Sequence, residues 1–206
     1  MSATTLAGHE WWLASRAAGV VALVLVSASV GLGLATAARL LPPSMRRAVL
    51  TMHQQTALAA LGSIAAHGLL LLPDRWLHPG AAGIAVPFAI GYRPVATGLG
   101  ILAGYLAALL GLSYYARRRI GPRLWRRLHM ATLGVYILAL AHVLTAGTDA
   151  ATMWMRALLA LTLAPIAGLL AARVLAGTRR AAKKSRRARP AARTVGPRPA
   201  SADRPG

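Results

Sequence analysis

The stretch M-H-Q-Q-T-A-L-A-A-L-G-S-I-A-A-H-G, residues 52–68, carries two histidines inside a mostly apolar run. His53 and His67 are fourteen residues apart, which places them within roughly 40° of each other on a helix and about 21 Å apart along its axis. That rise is about two-thirds of the hydrocarbon core of a bilayer. A second apolar stretch begins with His129 and ends with His142, thirteen residues later. A fold for this chain has to explain two histidine pairs at nearly equal spacing.

The composition is that of a membrane protein. Of the 206 residues, 56% are hydrophobic and 14% are charged, whereas a soluble domain carries about 25% charged residues. The chain has no cysteine, which excludes disulfides, thiolate metal sites and thiol catalysis. The net charge of +20 lies mainly in loops and in the C-terminal segment, where no aromatic residue interleaves the bases. Nucleic acid is therefore not an expected partner.

Five windows are long and apolar enough to cross a bilayer. They are residues 12–38, 48–72, 94–116, 124–146 and 152–175. We therefore predict an all-α membrane protein, a bundle of about five transmembrane helices, in a bacterial-type cytoplasmic (inner) membrane.

The basic residues predict the orientation of the bundle. Arginine and lysine are concentrated in the first and third connectors and in the C-terminal segment. Such segments face the cytoplasm, so the N-terminus is expected outside and the C-terminus inside. The predicted organisation is a short extracytoplasmic N-terminus at residues 1–10, a transmembrane domain at 11–176, and a disordered basic tail at 177–206 that contacts anionic lipid.

This topology makes the second and fourth predicted spans parallel. His53 and His129 then lie near the cytoplasmic surface, and His67 and His142 near the outer one. A haem iron with two axial histidines needs two imidazoles that face each other. The second nitrogen of each ring then needs a hydrogen-bond acceptor. Two haems stacked across the bilayer would provide a path for electrons.

The second histidine stretch poses a geometrical difficulty. Thirteen residues leave His142 about 140° around an ideal helix from His129. Both histidines can serve stacked haems only if the helix bends or bulges between them, or if the haems lie on different sides of it. Gly134 is a candidate position for such a distortion.

Three other interpretations remain open. Each histidine could be a hydrogen-bonded interior residue, or the four could form a proton or metal path in a transporter. The predicted spans contain no Asp or Glu, which cation pathways usually carry. A non-catalytic membrane scaffold or assembly protein would not need the histidines at all. His9 and His78 are interpreted as surface residues, and Asp74 and Asp149 as isolated carboxylates in polar turns.

The pattern H-x13-H on one helix and H-x12-H on a later one resembles the ferric reductase-like transmembrane domain family. That family includes the membrane halves of NADPH oxidases and ferric reductases, and the haem subunit of the periplasmic methionine sulfoxide reductase system. Four further segments are similar to it: S-R-A-A-G at residues 15–19, Y-R-P at 92–94, R-I-G-P-R-L-W-R-R-L-H at 119–129 and G-T-D at 147–149. The resemblance covers roughly residues 11–175.

The resemblance implies transmembrane electron transfer through two b-type haems. His53 and His129 would hold the cytoplasmic-side haem, and His67 and His142 the outer one. Arginines near the haem edges would pair with propionates. The candidates are Arg47 and Arg127 on the inner side, and Arg16 and Arg93 on the outer side.

Oxidases and ferric reductases of this family also carry a cytosolic flavin and nicotinamide domain, which is not expected in this chain. Family members commonly have six core helices, where five are predicted here. We therefore expect an electron-transfer subunit of an oxidoreductase. Its electrons would pass to or from a redox partner protein or a quinone, and a flavin or quinone could come from that partner.

Overall fold

The computed structural model describes residues 9–38 and 40–188, and all regular secondary structure in this part of the chain is helical. The helices are α1 Glu10–Ala37, α2 Arg46–Leu69, α3 Gly80–Ala85, α4 Pro94–Ile120, α5 Pro122–Met130, α6 Thr132–Ala146 and α7 Met153–Ala188. The predicted all-α class is confirmed.

Four of the five predicted spans are helices long and apolar enough to cross a membrane. They are Glu10–Ala37, Pro94–Ile120, Pro122–Ala146 and Met153–Thr178. The predicted span 48–72 corresponds to α2, whose 24 residues would extend about 36 Å. It is long enough but less apolar than the other four, because two histidines, two glutamines and several hydroxyl side chains interrupt it.

Helix α1 is the central element of the bundle. It packs along α2, and it also contacts α7 and α6. One buried cluster joins Leu23 of α1 to Met155 and Leu159 of α7. A second cluster joins α1, α6 and α7 through Leu34, Tyr136 and Ile166. These contacts fix α2 and α6 on different parts of the α1 surface.

The two helices that carry the outer histidines are supported by different neighbours. Helix α2 packs mainly against α1, whereas α6 packs mainly against α4. Helices α2 and α6 make at most a few contacts with each other, and α2 also contacts α4. The outer histidine side chains therefore meet between two helices that share little direct packing.

The predicted span 124–146 is not one continuous helix, because it is interrupted at Ala131. The backbone N–H of Ala131 bonds to the carbonyl of Leu128, three residues back, at 2.9 Å. The hydroxyl of Thr132 donates to the carbonyl of His129 at 2.7 Å. This interruption lies between the two histidines and corresponds to the first of the two alternatives left by the angular argument, a distorted helix. It lies three residues before Gly134, so the position proposed for it from the sequence was wrong.

The C-terminal helix extends into the segment predicted to be disordered. Helix α7 continues to Ala188, so the boundary at 176 and the disorder of residues 177–188 are corrected. This segment is rich in Ala, Arg and Lys, which are good helix formers and can prolong a helix beyond the membrane. The rest of the predicted tail, 189–206, and residues 1–8 lie outside the described residues.

Candidate functional site: two histidine pairs

Both cross-helix histidine pairs expected from the sequence are present in the structure. The ring centres of His53 and His129 are 6.0 Å apart, with an angle of 86° between the ring planes. Those of His67 and His142 are 6.2 Å apart, with an angle of 70°. All four rings are half-buried. We call the first couple the inner pair and the second the outer pair, after their expected depths.

These separations match two imidazoles bound to opposite sides of one metal ion. A metal–nitrogen bond of about 2.0 Å and roughly 1.1 Å from nitrogen to ring centre, taken twice, give about 6.2 Å. Rings joined directly by an N–H···N bond of about 2.9 Å would have centres only about 5.1 Å apart. A T-shaped contact between rings falls in the same range as the metal-bridged arrangement. The distance alone does not distinguish a metal-bridged pair from a T-shaped ring contact, so the hydrogen bonds of the ring nitrogens are considered next.

Helix α1 fixes the protonation of the two α2 histidines. Nδ1 of His53 lies 2.8 Å from the carbonyl oxygen of Ser29, and Nδ1 of His67 lies 2.8 Å from that of Ser15. A carbonyl oxygen only accepts, so in both rings Nδ1 carries the hydrogen and donates it. Nε2 then keeps its lone pair, which is the tautomer that a metal-bound histidine of this kind needs.

A repeated S-x3-G motif on α1 builds both of these contacts. Ser15 and Ser29 are fourteen residues apart, the same spacing as the histidines on the antiparallel α2. Four residues after each serine stands a glycine. A Cβ atom would lie 3.0 Å from the ring of His67 at Gly19, and 3.3 Å from the ring of His53 at Gly33. The serine carbonyl binds the imidazole, and the glycine leaves room for it.

The same arrangement holds His142 on α4, without a serine. Nδ1 of His142 lies 2.8 Å from the carbonyl oxygen of Ala96. Gly100 follows four residues later, and a Cβ atom there would lie only 2.5 Å from Nδ1 of His142. We call each combination of a carbonyl and a glycine four residues later a cradle. Three of the four histidines occupy one.

His129 is held differently. Its ring stacks on Trp125, with the centres 5.0 Å apart and the planes 21° apart. Nδ1 of His129 and Nε1 of Trp125 are both buried and have no hydrogen-bond partner within the part of the chain that the structure describes. The expectation that every Nδ1–H finds an acceptor is therefore met at three histidines and not at the fourth.

The outer arginines are engaged by the protein itself. Arg16 forms a two-point ion pair with Asp149, and its guanidinium lies 5.0 Å from the ring centre of Trp12. Arg93 donates from Nη1 to the carbonyl of Thr145 at 2.6 Å. The interpretation of Asp149 as isolated was wrong, because the start of α1 lies against the turn that follows α6.

The inner arginine candidates, Arg47 and Arg127, are both exposed. His9 and His78 are exposed as expected. The carboxylate of Asp74 accepts the backbone N–H groups of Trp76 and Leu77, at 3.1 and 2.7 Å, in a polar turn.

Each pair provides two ligands. In residues 9–38 and 40–188, no three His, Cys, Asp or Glu side chains gather to hold a metal ion. A haem iron takes four nitrogens from its porphyrin and needs two axial ligands from the protein. Each pair fits that requirement in number and in ring spacing, and the tautomer fits in the three histidines whose Nδ1 donates to a carbonyl.

Comparison of the chain with models of known families, with curated proteins and with solved structures finds no match. The resemblance to the ferric reductase-like domain thus depends on the residues quoted above for it.

Proposed function

We propose that this chain is a di-haem b subunit that carries electrons across the cytoplasmic membrane, to or from a partner protein or a quinone. One observation carries the proposal. The two histidine pairs have ring centres 6.0 and 6.2 Å apart, and carbonyl oxygens hold three of the four Nδ1–H groups. The ring centres are at the spacing that two axial ligands on one iron require, and in those three rings the Nδ1–H bond leaves the Nε2 lone pair available.

The surroundings of the pairs support a flat, bulky ligand. Helix α2 packs mainly against α1 and α6 mainly against α4, and neither α5 nor α6 makes extensive contact with α2. Ala60, midway between the two α2 histidines, keeps the interior side of α2 small. When bound, a haem iron supplies reversible one-electron chemistry. The protein binds it, orients the imidazoles and excludes water.

Two sites about 21 Å apart along α2 span most of the apolar core, which suits transfer from one face of the membrane to the other. The excess of arginine in the first and third connectors favours an N-terminus outside and a C-terminus in the cytoplasm. Exposed Arg47 and Arg127 remain free to meet propionates on the inner side. A flavin or quinone would come with the partner.

The hydrogen bonds weigh against a proton path through the same histidines. A relay needs each imidazole to take a proton on one nitrogen and release it from the other. In three of the four rings Nδ1–H is committed to a helix carbonyl, which accepts a hydrogen bond but takes up no proton.

The test is a reduced-minus-oxidised spectrum of the purified protein, with haem quantified per chain. We expect two b-type haems. Alanine at His67 or His142 should remove the outer haem first, and alanine at His53 or His129 the inner one. His78→Ala, at an exposed histidine, is the matched control and should keep both. A wild-type protein without haem, or four single variants with unchanged spectra, would refute the ligand assignment.

A further inference from the structure

At the outer end of the bundle, an ion pair joins α1, which holds the ring of His67, to the turn after α6, the helix that carries His142. Arg16 follows Ser15, the residue whose carbonyl holds His67. Asp149 lies in the turn directly after α6, the helix that carries His142. The carboxylate is buried, with 8% of the residue exposed, and it receives both Nε and Nη2 of Arg16. The two elements that place the outer imidazoles are thereby joined to each other.

A second cross-connection ends on the same segment. Arg93, at the start of α4, donates to the carbonyl of Thr145 near the end of α6. Its backbone has φ of +43°, a left-handed conformation that costs a non-glycine residue energy. Three residues later, Ala96 provides the carbonyl for His142. Residues 145–149 are thus tied to α1 through Arg16 and to α4 through Arg93.

We propose that Asp149 is a positioning residue for the outer pair: it sets the spacing between His67 and His142 through Arg16. This inference rests on the proposed function only in its purpose, which is to hold His67 and His142 at the distance that a haem requires. Removing the carboxylate would free the turn after α6 from α1, and the His142 end of that helix would lose its lateral anchor on the α1 side. The inner pair lies at the opposite end of the bundle, on α2 and α5, where no ion pair is found among the described residues.

Asp74 provides a matched control. It is the other buried carboxylate of the described residues, with 2% exposed, and it also lies on the outer side of the bundle. Its contacts are local, because it caps the N–H groups of Trp76 and Leu77. Asp74→Asn therefore removes a buried charge at the same end of the molecule without disconnecting α1 from α6.

The first measurement is haem content with a spectroscopic signature for each site. In full-length protein, Asp149→Asn should lower haem from two per chain towards one. The outer signal in electron paramagnetic resonance, assigned with His142→Ala, should shift or disappear. Asp149→Glu keeps the charge and should restore part of the signal. Asp74→Asn should leave both signals in place.

The second measurement does not depend on haem. The chain has no cysteine, so two introduced cysteines are its only spin-label sites. Labels at exposed Leu69 and Leu144 report the outer ends of α2 and α6, and labels at exposed Leu50 and Leu128 report the inner parts of α2 and α5. Asp149→Asn should shift or broaden the outer distance and leave the inner one unchanged. Asp74→Asn should change neither.

The outcomes separate this inference from the proposed function. If wild-type protein binds no haem but Asp149→Asn alters only the outer distance, the positioning role stands and the haem function fails. If haem binds and Asp149→Asn leaves the outer signal and distance unaltered, the positioning role is wrong and the function stands. Equal disturbance of both pairs would also overturn it, since the ion pair would then support the whole fold.

Discussion

Ser15 and His67 are bonded in both directions across the α1–α2 interface. Nδ1 of His67 donates to the Ser15 carbonyl at 2.8 Å, and the Ser15 hydroxyl donates to the His67 carbonyl at 2.7 Å. Ser29 and His53 repeat the first bond at 2.8 Å, but there the hydroxyl lies 3.5 Å from the histidine carbonyl. The orientation of each imidazole on α2 is therefore set by α1, the neighbouring helix.

The tightest cradle predicts the most severe glycine substitution. In Gly100→Ala, the new methyl group would lie 2.5 Å from Nδ1 of His142, so the ring has to leave its carbonyl acceptor or the helices have to separate. Alanine normally stabilises a helix interior by about 0.5–1 kcal/mol relative to glycine, and here the clash should outweigh that gain. We expect loss of the outer haem, measured by haem per chain and by the reduced spectrum.

Gly104→Ala is the control for this prediction, one turn further along α4. A Cβ atom there would lie 3.4 Å from the side chain of Ile64, an ordinary contact. This variant should keep both haems and melt at the same or a higher temperature than the wild type. If Gly100→Ala behaved in the same way, the cradle would not constrain His142.

The histidine pairs could be predicted from the sequence, because charge asymmetry sets the helix directions and spacing then sets the depths. The cradles that hold three of these histidines could not be predicted from the sequence. Their acceptors are backbone carbonyls, which every residue has, so Ala96 gives no signal in the sequence. Ser29 and Gly33 repeat the motif of Ser15 and Gly19 at the histidine spacing, and a search for that repeat could have found them.

Contacts between segments that are distant in the chain also could not be predicted from the sequence. Arg16 and Asp149 are 133 residues apart, and their ion pair exists only because α1 lies against the turn after α6. An interruption in the fourth predicted span was one of two alternatives that the spacing allowed, and Gly134 was the wrong position for it. The hydroxyl of Thr132, bonded to the carbonyl of His129, marks the position instead.

Ala60 predicts a position where one larger side chain disturbs both sites. It is 3% exposed and lies seven residues from each α2 histidine, on nearly the same face. Leucine here would overpack the buried side of α2 midway between its two histidines, at a cost of roughly 1–3 kcal/mol. We expect Ala60→Leu to lower the occupancy of both haems, measured per chain after purification. Ala59→Leu, at the exposed neighbouring position, should bind as the wild type does. Equal loss in the two variants would contradict a slot on the Ala60 side.

Labelling from either side of the membrane tests whether α2 crosses it, since composition alone does not mark α2 as a span. Met45 precedes α2 and Val86 follows α3, and both are exposed. If α2 crosses, a membrane-impermeant maleimide should label Val86→Cys in intact cells, and Met45→Cys only after lysis. Thr148→Cys, in the turn after α6, should behave like Val86→Cys. Labelling of Met45→Cys and Val86→Cys from the same side would show that α2 does not cross the membrane. The histidine pairs could then not form the proposed path across it.

The unpartnered nitrogen of His129 predicts that the two haems differ in midpoint potential. A ligating imidazole whose Nδ1–H donates to a carbonyl is more basic and stabilises ferric iron, and three of the four histidines make that bond. His129 makes none, and Arg126 and Arg127 beside it add positive charge that favours the reduced state. We therefore expect the inner haem to have the higher midpoint potential in a potentiometric titration, with the two components assigned in His142→Ala and His53→Ala.

A substitution at Trp125 tests the cause of that difference. Trp125 precedes His129 by four residues, so the two side chains share one face of α5. In Trp125→Gln, a side-chain carbonyl replaces the stacked indole and can accept from Nδ1–H of His129, which should lower the inner midpoint potential. Trp125→Phe keeps a stacked ring without an acceptor, and its inner midpoint should stay near that of the wild type. If the two variants shift the inner midpoint equally, stacking or burial controls the potential. In that case the missing hydrogen bond does not set it.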